Sequence, residues 1–341
     1  MIDVSRYTDT TELVFDVEFI TPTFLGGADG NAEIRTAPFK NGIRYWWRVL
    51  YGAKYFSVGE LKETEDNIFG STEKKSMIDI FIYGMDRNVC VDKKGFPNGK
   101  KLEVSHQGKT MRINILDYLA YGKYKYEKGQ GNIYINTYIV PGTKIKMRCL
   151  IKNSIYIDEV KDSIKMFILY GGIGARSRNG FGSMNSDLSR VSFSRRVYIV
   201  ENVKQFPVIS SKTYFFRTNK VYEKWEDALS EIGEIYKIAR TSLESPHRYE
   251  NRGFVARPIE VKNERIPDNI RKERMPKSFH LGVRKYEDKF LGYIFCLPVE
   301  FYEKENQREY EQVYQKMMDL FSSRLKDDTV PFIRQITGAA K

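Results

Sequence analysis

The chain is poor in the residues that build covalent or metal frameworks. Three cysteines (Cys90, Cys149, Cys296) stand far apart, odd in number and without a CxxC pair. That argues against a disulfide scaffold and a zinc site, and makes a reducing cytoplasm the expected compartment. Three histidines (His106, His247, His280) form no cluster in sequence, so no metal centre is read and no cofactor is expected. No apolar run approaches the roughly 18 residues of a membrane span. The start, Met1-Ile-Asp-Val-Ser-Arg6, lacks a basic-then-apolar signal, so a soluble protein without a membrane partner is expected. Low-complexity tracts and short repeats are also missing.

What is present is enough apolar matter for two cores. The 341 residues are 41% hydrophobic and 14% aromatic, which suits two folded domains, placed at 1–195 and 196–341. Lysine and arginine number 56 against 44 acids, a formal charge of +12. That excess favours a polyanionic partner, although charge speaks to association and not to fold.

The densest motif is Gly171-Gly-Ile-Gly-Ala-Arg-Ser-Arg-Asn-Gly-Phe-Gly182, which follows a helix-like segment. Glycines can take positive φ and let a ligand approach the backbone. Arg176 and Arg178 add guanidinium forks suited to phosphate oxygens, and amides of the turn can nest the same anions. Gly172, Gly174, Gly180, Arg176 and Arg178 are therefore candidate contacts to a polyanion, RNA or DNA. No Gly-Lys-Ser/Thr follows, and the order is helix, loop, strand, so neither a Walker loop nor a dinucleotide fingerprint fits.

Upstream, Lys40 to Leu50 reads as a helix capped by Asn41, with Ile43, Trp46, Trp47 and Leu50 on one apolar face. Lys40, Arg44 and Arg48 recur every four residues and share a face that could track a phosphate backbone. One tryptophan is expected in the core. Trp47 is the candidate for stacking on an unpaired base, and Arg35 is a further candidate contact. Tyr118 to Tyr134, with Lys123, Lys125 and Lys128 among tyrosines, could meet RNA or a protein. Asp29, on a glycine loop, and His247, in a basic segment, are the candidate groups of a catalytic alternative, an endoribonuclease, which rests on the family resemblance given below; metal-assisted cleavage needs such a carboxylate. Neither has an evident catalytic neighbour in sequence.

Strands are read at Glu12–Thr21, Met77–Tyr83, Thr143–Ile151 and across Met184–Ile199, with a second helix at Asp158–Tyr170. That order, β-α-β-β-α-β, suits a ferredoxin-like sandwich. A looser second set follows, with strands at Thr213–Arg217, Ser278–Arg284 and Gly292–Val299 and helices at Glu223–Leu243 and Glu303–Lys326.

Phe19-Ile-Thr-Pro-Thr-Phe-Leu-Gly-Gly-Ala-Asp29, Gly42-Ile-Arg-Tyr-Trp-Trp-Arg48, Ile68-Phe-Gly70 and the Gly171–Gly182 loop resemble the RAMP superfamily of CRISPR RNA-binding proteins. The closer likeness is to the subunit-one family of the type III-B (Cmr) effector complex. It is specific over residues 12–190 and weaker over 200–341. The family commonly carries arginine or lysine where this chain has Asn179. The resemblance implies an α+β fold of two tandem ferredoxin-like (RRM-like, RAMP) modules. It also implies a non-catalytic RNA-binding role whose partners are guide RNA (crRNA), target RNA and other Cmr-complex subunits.

Overall fold

Alternation organises the first strand: Phe15, Val17 and Phe19 are buried on one face while Glu12, Val14 and Asp16 stand exposed on the other. The structure, a computed structural model, describes residues 9–337 apart from 85–89, 92–95, 107–108, 153–154, 191–192, 194–196, 246–247, 258, 260–265, 267, 269–274 and 276. His247, Arg195 and Arg196 thus lie outside the described residues. Two compact units are present. The first takes 1–96, 120–199 and 333–341, and the second takes 97–119 and 200–332.

In chain order, β1 (Thr10–Phe19) leads to α1 (Thr36–Tyr51), α2 (Val58–Phe69) and β2 (Ile78–Tyr83). The short β3 (Cys90–Val91) comes before a hairpin of β4 (Lys101–His106) and β5 (Lys109–Asn114), which runs into α3 (Ile115–Leu119). A second hairpin, β6 (Tyr124–Glu127) and β7 (Gly131–Tyr134), occupies the tyrosine- and lysine-rich stretch. It is followed by β8 (Tyr138–Ile139), which pairs with β3. Then β9 (Lys144–Lys152), α4 (Ile157–Tyr170) and β10 (Met184–Ser186) close the module.

Its sheet is antiparallel in the order β10-β1-β9-β2. The last strand lies beside the first, as a ferredoxin-like sandwich requires. Phe15 pairs with Met147 and Ile80 with Cys149. Helices α1 and α4 pack together, Phe39 meeting Phe167 edge-on at 6.3 Å.

The second unit repeats the plan with β11 (Tyr214–Arg217), α5 (Trp225–Thr241), β12 (Phe279–Tyr286), β13 (Lys289–Cys296), α6 (Gln307–Arg324) and β14 (Lys326–Asp327). Its order, β12-β13-β11-β14, is the same arrangement read from the other edge. Phe216 packs on Phe321 at 5.8 Å, and on the opposite face Phe215 stacks on Phe332 of α7 (Thr329–Thr337) at 4.8 Å. The fold is therefore α+β with two tandem ferredoxin-like modules, as the sequence led one to expect.

Three local expectations are corrected. Helix α1 begins at Thr36, flanked by Arg35, and Asn41 lies inside it and does not cap it. Pro38 marks the true start, because first-turn N–H groups lack intrahelical partners anyway. Helix α2 was not read as a helix. Ser57 caps it, its Oγ accepting from the Glu60 N–H at 3.2 Å, and the Glu60 carboxylate reaches back to the Phe56 N–H at 3.1 Å. After β10 the chain turns into a 3-10 segment at Asp187–Arg190, so of the strand, or pair of strands, expected across Met184–Ile199 the first ends at Ser186.

Candidate nucleic-acid interface

Beyond the C-terminal end of β1 the chain enters Gly26–Asn31 and meets the glycine loop. The Ala175 N–H donates to the Phe24 carbonyl at 2.9 Å and the Gly182 N–H to the Pro22 carbonyl at 3.0 Å. Thr21 Oγ1 donates to the Gly180 carbonyl at 2.8 Å and accepts from the Ser183 N–H at 3.0 Å. This close seam explains the glycines. Gly174 sits at φ 86°, and a Cβ there would stand 2.5 Å from the Phe24 carbonyl oxygen; Gly182, at φ 69°, would drive one into the Ile173 carbonyl. Gly180 is buried, which removes it as a ligand contact and corrects its assignment, while Gly172 and Gly174 are half-buried.

Arg176 leads the exposed turn in left-handed backbone, φ 61°, unusual for a residue with a side chain. A side chain at Gly122 would meet the Arg176 guanidinium at 2.9 Å, so the loop lies against the start of the β6–β7 hairpin. Lys123 stands there with its ammonium 5.5 Å from the Phe24 ring centroid. Phe24 is itself locked by Tyr134 at 6.0 Å and Phe181 at 5.2 Å. Burial first, and Arg176 second, hold the Lys123 pKa below the usual lysine value. Neither cation has a carboxylate partner among the described residues. Tyr121, at 62% exposure, and Tyr124 act electrostatically on Arg176, so Tyr121 offers an exposed ring beside it. Arg178 lies 5.5 Å from the Tyr45 ring centroid. Arg35 is exposed and donates to the Gly26 carbonyl at 2.8 Å.

The helix-face candidates fare differently. Trp47 is fully buried and donates its indole N–H to Glu159 at 3.0 Å, so its ring is not offered to a base; Trp46 is buried too. Arg44 pairs with Glu65 and with Asp66 (2.6 Å), and it donates to the Gly70 carbonyl at 3.1 Å. Arg48 grips both oxygens of Glu65 at 2.8 and 3.0 Å. The expected phosphate-tracking stripe is thus the seam between α1 and α2. Lys40 is half-buried, its pKa lowered by burial and by Arg44 against the opposing pull of Asp79.

Asp29 is exposed and turns the loop. Its two carboxylate oxygens accept from the Asn31 N–H and side-chain amide, both at 2.9 Å, and those bonds lower its pKa. Among the described residues no three His, Cys, Asp or Glu side chains are grouped to hold a metal. No described helix is long and apolar enough to cross a membrane. Sequence reasoning named Lys123 and Arg176 separately. What brings them together is the pairing of Ala175 with Phe24, which no sequence spacing announces.

The profile of the RAMP superfamily matches residues 16–185. The CRISPR system Cmr subunit Cmr1-2 of Pyrococcus furiosus is 33% identical over 189 residues, 52% of this chain and 97% of that protein. Cmr1-1 of the same organism is 29% identical over 174 residues, 50% of this chain and 46% of that protein. Among solved structures, apo Cmr1 from Pyrococcus furiosus aligns at TM-score 0.52 and 18% identity, covering 93% of this chain and 98% of that one. A chain of a type III-B Cmr-beta complex bound to cognate target RNA and AMPPnP aligns at TM-score 0.53 and 13% identity, covering 91% and 99%. These structural likenesses speak to the fold, and the curated relative speaks to descent. The chain belongs to the RAMP superfamily, in the branch of the Cmr1 subunits.

Proposed function

We propose that this chain is a non-catalytic RNA-binding subunit of a type III-B (Cmr) CRISPR complex. In the cytoplasm it holds the 3′ part of the guide RNA, or the target RNA, in antiviral defence beside other Cmr subunits. The observation that carries the reading is the Lys123–Arg176 pair. Two cations share a partly desolvated site with no acid to balance them among the described residues, and the exposed ring of Tyr121 lies beside Arg176 with that of Tyr124. A phosphodiester supplies the missing charge, and neighbouring bases can stack on the rings. The formal charge of +12 adds long-range attraction. Relatives named as Cmr subunits support membership of the assembly.

The test is binding of labelled single-stranded RNA across a salt series, wild type beside Lys123→Ala/Arg176→Ala. The expected result is intact RNA and an affinity that falls steeply with salt. The double variant should bind at least tenfold more weakly, with a log–log salt slope shallower by about 2. Unchanged affinity in the double variant would overturn the assignment.

A further inference from the structure

We propose that the second module carries a site for a single nucleotide unit, a base with its phosphodiester, in the cleft between the first half of α6 and the start of β11. The cleft measures about 520 Å³, within the roughly 300–1,000 Å³ of small-ligand sites. Its aromatic wall is held in place. Tyr314 donates its hydroxyl to the Lys212 carbonyl at 3.2 Å, and the Tyr310 hydroxyl is 3.2 Å from Ser278 Oγ. Tyr310 stacks on Phe301 at 5.3 Å, and Tyr214, half-buried, lies parallel to Phe216 at 5.9 Å.

The charge along the lining selects the ligand. Lys212 pairs with Glu311 at 3.0 Å, and Glu311 also accepts from the Gln307 amide at 2.9 Å. Those bonds hold the Glu311 carboxyl below the usual carboxylate range, so this pair is neutral as a unit. Arg308 is exposed and has no ion pair among the described residues. One uncommitted guanidinium matches one phosphodiester. The Gln312 side-chain amide, without a partner among the described residues, can pair with the polar edge of a base. A purely apolar peptide would leave Arg308 and Gln312 desolvated without compensation. An acidic one would set its second carboxylate against Glu311.

This site lies in the second unit and is independent of the Lys123–Arg176 reading. Calorimetric titration of the full chain tests it, using adenosine 5′-monophosphate, uridine 5′-monophosphate, ribose 5-phosphate and adenosine. Both nucleotides should bind saturably, at least tenfold more tightly than ribose 5-phosphate. Arg308→Ala should weaken the nucleotides at least tenfold while leaving adenosine unchanged. An unfolding midpoint equal to wild type checks that Arg308→Ala is folded. Equal binding of ribose 5-phosphate, or indifference to Arg308→Ala, overturns the proposal. If none of the four molecules binds, the cleft is a protein-docking groove and the proposal falls.

Discussion

Trp47 donates its indole N–H to Glu159 at 3.0 Å, and Lys54 closes on the other oxygen of the same buried carboxylate at 2.5 Å. The ring is an internal strut between α1 and α4. Trp47→Phe keeps most of the volume and removes the donor, leaving part of a buried carboxylate unsatisfied. The expected cost is about 1–3 kcal/mol, read by urea unfolding. Trp47→Ala adds a cavity and should cost about 3–5 kcal/mol. Folded Trp47→Phe should bind RNA as wild type does; a selective loss of affinity at unchanged stability would return the ring to the interface.

Arg176 separates stability from binding. Its left-handed backbone costs about 1–2 kcal/mol for a residue with a Cβ. Arg176→Gly relieves that cost but adds about 0.5–1 kcal/mol of backbone entropy to the unfolded chain. The two nearly cancel, so the unfolding free energy should stay within about 1 kcal/mol of wild type. The RNA salt slope should fall by about 1. A variant that unfolds readily would show that the guanidinium holds the loop together and does not serve a ligand.

Much of the fold was legible because burial obeys period. Ile43, Trp46, Trp47 and Leu50 recur at helical spacing, and all four are buried. The same reasoning failed for charge. Lys40, Arg44 and Arg48 share a helix face, but spacing names only the face and not what stands opposite. The opposing Glu65 and Asp66 sit on α2, whose polar sequence hid the helix. The glycine loop was legible as special for a reason that proved half right. Its glycines answer to the backbone at Pro22 and Phe24, just past β1, and Arg176 turns outward beside Lys123.

Glu65 is the test of that correction. It is nearly fully buried at 3% exposure and holds Arg44 and Arg48 together. Glu65→Ala leaves two half-exposed guanidinium groups facing each other without their shared counter-charge. Discounted for that exposure, the expected loss is about 1–3 kcal/mol, measured by chemical denaturation. Arg44→Ala should lower stability without changing the RNA salt slope. A slope that drops by about 1 in Arg44→Ala would put this seam back in contact with phosphate.

Lys123 gives the site a pH signature. Its folded pKa lies below 10.5, lowered by burial and by Arg176. Between that lowered value and 10.5 the folded chain binds fewer protons than the unfolded one, so this group makes stability rise with pH through the window. RNA acts in the opposite sense. A bound phosphate favours the ammonium, so binding takes up a proton there and affinity falls as pH climbs through the lowered value. Lys123→Arg keeps its charge throughout, and its affinity should stay flat where wild type declines. Arg176→Gly removes the neighbouring charge, so its weaker binding should decline only at higher pH. RNA affinity measured from neutrality to pH 10.5 in the three proteins decides the matter, since identical alkaline limbs would place the titrating group elsewhere.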